Sequence, residues 1–232
     1  KGDNPARWKG NLDAILPKPS KVAKVRNHPA LSISDVVPWF ADLEERDGMA
    51  ARALELMTLT VARSGEIRGA TWAEFDLAAG IWIIPAERMK AGKEHRVPLA
   101  AQAVALLEAL PRELASPYVF PAARGGMLSD MALSACMRRI NEAREGGYLD
   151  KRSGRPAVPH GLRSTFRDWA SENGVSHDLA ERALAHTIRN AVEAAYHRTD
   201  LLEQRRSVME AWAAHVTGSA AGRNVVALVG RG

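Results

Sequence analysis

Apolar positions recur at helical spacing from Ser34 onward. Val37, Phe40, Ala41 and Leu43 fall on one side before Gly48, with Ser34 placed to cap the helix. Residues 49–62 continue as a second apolar helix that ends at Val61-Ala62-Arg63, and Ser64 offers a cap for a short turn through Gly65, Glu66, Ile67 and Arg68. The period then changes. Residues 72–77, 81–85 and 95–99 are short runs rich in β-formers, separated by Ala78-Ala79-Gly80 and by Lys90-Ala91-Gly92-Lys93, which predicts a small antiparallel sheet. Helical spacing returns over 100–110 (stopped by Pro111), 129–144 (capped by Ser129), 161–172 (ended by Gly174), 177–184, 190–198 and 201–216. The expected fold class is mainly α with one small antiparallel β-sheet, α+β, without an internal repeat.

The ends of the chain read differently from its middle. Pro5, Gly10, Pro17, Pro19 and Pro29 punctuate a stretch carrying Lys18, Lys21, Lys24 and Arg26, so residues 1–30 are expected to be irregular: the end of a preceding domain plus a linker. Residues 31–216 form the main domain in this reading. Residues 217–232 form a flexible tail, in which Gly218 to Gly222 lead to an apolar run at 225–229. The first residue is Lys1, not Met, which suggests a fragment of a longer protein.

Composition narrows the class only modestly. The 232 residues are 46% hydrophobic, an ordinary share for a globular protein, and no segment approaches the ~18 consecutive apolar residues of a membrane helix. The N-terminus has no apolar stretch of the signal-peptide kind. Cys136 stands alone, which excludes an intrachain disulfide and fits a reducing cytoplasm. Seven histidines are present, but none forms His-x-x-x-His or pairs with Cys136 in a zinc-like spacing, and no glycine-rich nucleotide loop is found. No metal or cofactor is therefore expected. A net charge of +5 leans towards a polyanionic partner without requiring one.

Candidate chemistry is dispersed. In Pro159-His160-Gly161-Leu162-Arg163, the following helix puts Leu162, Phe166 and Trp169 on one face and His160, Arg163 and Arg167 on another. It is expected to bury its aromatics and present a His/Arg pair outward; read alone, the same pattern describes a solvated basic face. Arg63 sits where an apolar helix gives way to a tight turn, with Glu66 three residues on, placed to orient it by bidentate pairing or to form an ordinary surface ion pair. Lys90 lies in the turn between two predicted strands, with Lys93 as a local competitor. His186 precedes Tyr196 by ten residues. A phenol, with a pKa near 10, is a poor nucleophile at neutral pH; it becomes effective when a phosphate is held against it and fixed cations neutralise the developing charge.

Four stretches in order carry a resemblance: residues 60–76 around Val61-Ala62-Arg63-Ser64-Gly65-Glu66, residues 88–99 around Met89-Lys90-Ala91-Gly92-Lys93, residues 159–166 around His160-Gly161-Leu162-Arg163, and Leu184-Ala185-His186 leading to Ala195-Tyr196-His197. From about His28 to Val216 the chain resembles the catalytic domain of the tyrosine recombinases, or phage integrase family, nearest to prophage and genomic-island integrases of the P4 type. That resemblance implies the DNA breaking–rejoining fold and a metal- and ATP-independent site-specific recombinase. Arg63 and Arg163 are then the phosphate-clamping arginines, Lys90 the hairpin lysine, His160 the histidine of His-x-x-Arg, His186 the second histidine, Tyr196 the nucleophile and Glu66 the supporting acid. It further implies double-stranded DNA attachment sites as substrate, a homotetramer on synapsed DNA, accessory DNA-bending proteins, and a cytoplasmic, nucleoid-associated location. Two positions depart from the pattern: Val61 and Ala185 stand where the family usually has glycine. A type IB topoisomerase and a non-catalytic DNA-binding module are the alternatives.

Overall fold

Ser32, two residues ahead of Ser34, starts the first helix, α1 (Ile33–Glu44). Its extended backbone lets the hydroxyl accept from the Asp35 amide at 3.2 Å while donating to the Asp35 carboxylate at 2.6 Å. Ser34 already lies inside the helix, and the buried stripe is Val36, Trp39, Phe40 and Leu43, with Val37 only half-buried. The computed structural model describes residue 4 and residues 6–16, 27–112, 116–186 and 200–219. Within the first of these segments, Trp8–Leu12 and Asp13–Ile15 form a short helical stretch kinked at Lys9 and Gly10, where only irregular backbone was expected.

The next helix, α2 (Met49–Thr60), has almost no polar face: Ala51 and every residue from Ala53 to Thr60 are buried. An all-round apolar helix must be central, and α2 packs against α1, α4 (Ala101–Ala109), α5 (Ala132–Ala143) and α8 (Leu202–Val216). Thr58 and Thr60 remain compatible with burial because their hydroxyls donate back to the Leu54 and Leu56 carbonyls at 2.8 and 2.6 Å. The helix stops at Val61, whose φ of 50° is left-handed, and the chain re-enters a short helix, α3 (Ser64–Arg68). Arg63, not Ser64, is its N-cap residue. Ser129 likewise does not cap α5: it only accepts a backbone bond from Ala132, and Met131 occupies the cap without a side-chain bond.

The sheet is smaller than its sequence pattern. Strands β1 (Phe75–Asp76), β2 (Ile81–Ile84) and β3 (His95–Pro98) pair antiparallel in that order, with Phe75 opposite Trp82, Trp82 opposite Val97 and Ile84 opposite His95. Residues 72–74 form a 3-10 turn instead of strand. Glu74 explains it: its carboxylate turns inward to accept from Thr71, from the Trp82 indole at 2.8 Å and from Arg88.

Two further helices, α6 (Gly161–Glu172) and α7 (His177–Ala183), complete the described elements. An aromatic cluster joins α6 to α8: Phe166, Trp169 and Trp212 lie with ring centroids 5.2–6.0 Å apart, and His215 stacks on Trp212 at 5.9 Å. Trp212 also donates its indole N–H to the Thr58 carbonyl at 2.7 Å, satisfying an acceptor in the last turn of α2 that the helix itself leaves unpaired. At the other end of α8, the buried Arg205 binds the Asp200 carbonyl (2.8 Å), the Asp200 carboxylate (3.2 Å) and the Arg96 carbonyl (2.6 Å), tying the start of α8 to β3. Among the described residues no helix is long and apolar enough to cross a membrane.

Trp212 is fully buried and holds α2, α6 and α8 together at one point. Trp212→Ala is expected to cost about 3–5 kcal/mol, read as a lowered urea midpoint with the helical circular-dichroism signal retained in the absence of denaturant.

Candidate active site

The site is assembled where four chain segments meet: the α2–α3 junction, the start of α6, the end of α7 and the β2–β3 hairpin. At the junction, left-handed Val61 turns the chain so that Arg63 can project away from α2. Glu66 then divides its carboxylate. One oxygen accepts from the Arg63 amide at 2.7 Å and the other from the Arg63 guanidinium at 2.8 Å. This differs from the expected bidentate pairing of two guanidinium nitrogens. The carboxylate both caps α3 and aims the side chain, and the second guanidinium nitrogen is left to reach the Ala185 carbonyl at 3.0 Å.

Arg163 departs from expectation more strongly. It does not face outward with His160; it is 4% exposed. On α6 it borders the apolar face of Leu162 and Phe166, and its side chain runs inward to donate to the Val61 carbonyl, to the Leu184 carbonyl at 2.5 Å and to His186 Nε2 at 3.0 Å. Amphipathicity alone misplaces it, because a guanidinium can be buried wherever carbonyls are available to receive it. Burial, together with repulsion from Arg63, lowers its pKa to about 10, still well above neutrality. Among the described residues none of its hydrogen-bond partners is a carboxylate, although Glu66 and Glu181 act on its charge from nearby.

Both arginines thus dock on adjacent carbonyls, Leu184 and Ala185, at the end of α7. Val61 (φ 50°) and Ala185 (φ 49°) are two of three non-glycine residues with positive φ among the described residues. A left-handed conformation costs an L-residue roughly 1–2 kcal/mol, and a β-branched valine is an unusual occupant. Each strained residue presents its carbonyl to one of the arginines.

His186 is oriented by a residue that sequence reasoning passed over. Glu181, one turn earlier, accepts from His186 Nδ1 at 2.9 Å and also pairs with Arg167 at 3.2 Å. Since Arg163 can only donate, His186 Nε2 accepts, and Nδ1 carries the proton. Burial lowers the His186 pKa, against the raising effect of Glu181. His160, at the N-cap of α6, is pushed down to about 4, by burial first and then by the charges of His28, Arg163, Arg63 and His186; at neutral pH it is an unprotonated base. His95 on β3, also absent from the sequence candidates, is lowered to about 4 by burial and by Arg205.

Lys90 is exposed in the turn after Met89, as is Lys93. The base of this hairpin is tied to the arginine site by Arg88, which donates to the Glu66 carbonyl and pairs with Glu74. Tyr196 lies outside the described residues, between His186 and Asp200. The structure therefore joins Arg63 to Glu66 and Arg163 to His186 by direct contacts, seats the two arginines on adjacent carbonyls, sets His160 within their electrostatic reach, and leaves Lys90 on an adjoining turn. Among the described residues no group of three or more metal-ligating side chains occurs.

Residues 39–202 match the phage integrase family. The chain belongs to that family. It is 37% identical over 221 residues to prophage integrase IntA of Escherichia coli K12, covering 93% of this chain and 50% of that protein. It is 35% identical over 211 residues to the integrase of Enterobacteria phage P4, covering 82% and 46%. This integrase-family chain spans about half the length of the curated relatives it matches. Its fold is that of tyrosine recombinase catalytic domains. The integrase from mycobacterium phage Brujita superposes with a TM-score of 0.58 at 22% identity, over 88% of this chain and 63% of that one. A lambda integrase tetramer bound to a Holliday junction gives 0.55 at 19% identity, over 76% and 53%. The backbone at Val61 and Ala185 is left-handed, a conformation that only glycine adopts without strain.

Ala185→Gly retains the carbonyl and removes the strain of the left-handed alanine. It is expected to raise stability by about 0.5–1 kcal/mol, measured as an increased urea midpoint at unchanged m-value.

Proposed function

We propose that this chain is the strand-cleaving part of a site-specific DNA recombinase that integrates or excises a prophage or genomic island. The observation that carries the reading is the pair of guanidiniums docked on adjacent carbonyls, one of them without a carboxylate partner, beside an unprotonated histidine. Two rigidly held forks match the non-bridging oxygens of a phosphodiester, where negative charge grows during displacement. Membership of the phage integrase family supports the same reading.

In this mechanism Tyr196 attacks the scissile phosphorus, and its phenolic proton passes to His160. The bond from phosphorus to the 5′-oxygen breaks as a 3′-phosphotyrosyl bond forms, and Lys90 delivers a proton to the departing 5′-oxygen. Arg63 and Arg163 hold the non-bridging oxygens. In the present arrangement the Nε2 of His186 is an acceptor, so donation by this ring to the phosphate requires that it first take up a proton, which Glu181 favours. The 5′-hydroxyl of a second duplex then reverses the step, and the stored ester bond makes ATP unnecessary.

The substrate in this reading is double-stranded DNA carrying attachment sites, engaged by a homotetramer with accessory DNA-bending proteins, in the cytoplasm at the nucleoid. The lambda integrase tetramer on a Holliday junction, matched in fold, supports the assembly. Residues 1–30 join the catalytic domain, 31–216, to upstream DNA-binding structure. The tail, 217–232, docks on a neighbouring protomer in this reading, with docking on its own domain as the alternative for the free monomer.

Tyr196→Phe is expected to keep DNA binding within about twofold, since one hydroxyl is lost, while abolishing the denaturant-resistant protein–DNA adduct on a suicide substrate. An adduct formed by the Phe variant would overturn the assignment of the nucleophile.

Lys90→Ala is expected to slow cleavage by roughly 10²–10⁴-fold, the scale of a lost general acid. Replacing the bridging 5′-oxygen by sulfur, which leaves readily without a proton, should restore most of that loss. It should leave the Arg163→Ala defect in place, because charge on the non-bridging oxygens still needs a partner. Rescue of Lys93→Ala in place of Lys90→Ala would transfer the role to the neighbouring lysine.

A further inference from the structure

Residues 27–31 form a strap across the start of α6. The Val158 amide donates to the Pro29 carbonyl at 3.1 Å, and the Thr165 hydroxyl donates to the Leu31 carbonyl at 2.8 Å. The Ala30 amide donates to Asp150 Oδ2 at 2.8 Å, and the other oxygen of that carboxylate accepts from the amides of Arg152 and Ser153. The approach is so close that a Cβ at Gly161 would lie 1.9 Å from the Pro29 carbonyl oxygen; only glycine fits beneath the strap. Two of the three bonds, and the glycine contact, fall on the eight residues that contain His160.

At the head of this strap, one residue before its first anchor, the His28 ring lies 4.5 Å from the His160 ring, centroid to centroid, tilted by 58°. His28 and His160 both keep much of their surface open to solvent, with the His160 imidazole partly desolvated where it faces the site, so the contact contributes little to the hydrophobic core. It matters because His160 is otherwise loosely held. Among the described residues no hydrogen bond fixes its imidazole, and it occupies the N-cap of α6 without capping it. Among the described residues, the charges that act most on His160 are those of His28, Arg163, Arg63 and His186, from the strap, α6, the α2–α3 junction and the end of α7.

We propose that His28 is a positioning residue of the active site, which holds the His160 imidazole by ring contact and links its placement to that of the strap. The proposal rests on the strand-cleavage reading above. In it His28 touches neither the phosphate nor the phenol; it acts through His160, narrowing the orientations available to a base that must meet a phenolic proton along one line. A misaligned base loses rate without loss of DNA affinity, and the loss should be smaller than the 10²–10⁴-fold that follows removal of an acid–base group itself. Because His28 is cationic when protonated, it also opposes protonation of its neighbour.

The test compares His28→Ala and His28→Phe with the wild-type 232-residue chain. His28 is exposed, so neither change should threaten folding. In single-turnover cleavage of a suicide DNA duplex, His28→Ala should be about 10-fold slower with DNA binding within about twofold, and His28→Phe, which keeps a ring but no charge, should recover to within about threefold of wild type. In a titration followed by ¹⁵N-histidine NMR, the His160 midpoint should rise in both variants, moving the acid limb of the cleavage profile to higher pH. Wild-type rates for His28→Ala would overturn the proposal. So would an equal loss of binding and cleavage, which would make His28 a DNA contact, or a Phe variant as slow as the Ala variant. A wild-type chain that forms no adduct would instead overturn the strand-cleavage reading; the His160 midpoint would then still report whether the two rings are coupled, and an unmoved midpoint would sink that as well.

Discussion

The structure turns on one buried cation. Removing a guanidinium from water costs several kcal/mol unless its donors are received, and Arg163, on α6, meets that cost with two main-chain carbonyls and an imidazole drawn from two other segments, the ends of α2 and α7. The end of α2, the body of α6 and the end of α7 are therefore not independently placed. Helix α6 brings the charge, and the other two supply the acceptors without which it would be buried unsatisfied. Because the partners are dipoles and not a carboxylate, the charge is solvated but not cancelled. Glu66 and Glu181 favour that charge from nearby without bonding to it.

Backbone strain follows from the same requirement. Helices α2 and α7 each end on a residue forced into the left-handed region, Val61 and Ala185, and each of these presents a carbonyl to an arginine from elsewhere in the chain. Glu66 works on the same principle at smaller scale. One carboxylate caps α3 through the Arg63 amide and aims the Arg63 guanidinium, so the local stop signal and the functional geometry are one interaction. Around this centre the supports are longer-range: Arg88 ties the β2–β3 hairpin to Glu66, Arg205 ties β3 to the start of α8, and Trp212 locks α8 onto α2.

Among the described residues the order of elements was legible in the sequence because apolar periodicity reports burial directly, and each long helix here buries one stripe or, for α2, nearly all of its surface; the helix expected over 190–198 lies outside them. The errors lie where side-chain hydrogen bonds compete with that pattern. Ser32 displaced Ser34 as the cap of α1 because it also binds the Asp35 carboxylate. Glu74 turned residues 72–74 away from strand by facing inward to Trp82 and Arg88. Arg163 was expected outside because a helical wheel ranks residues by polarity and holds no information about which carbonyls wait on the other side.

What the sequence determined by itself was the class of the fold, the family, and the identity of the candidate groups Arg63, Glu66, Lys90, His160, Arg163, His186 and Tyr196, since these depend on residue type, order and spacing. Only the tertiary structure decided how they are held. Glu181 as the partner of His186, the carbonyls of Val61, Leu184 and Ala185 as the seats of the arginines, and His28 against His160 join residues from 5 to 132 positions apart. The physical reason is that a main-chain carbonyl looks alike at every position of a sequence. Which of them is turned towards a guanidinium is fixed by where the helices stop, and that is settled only when they pack.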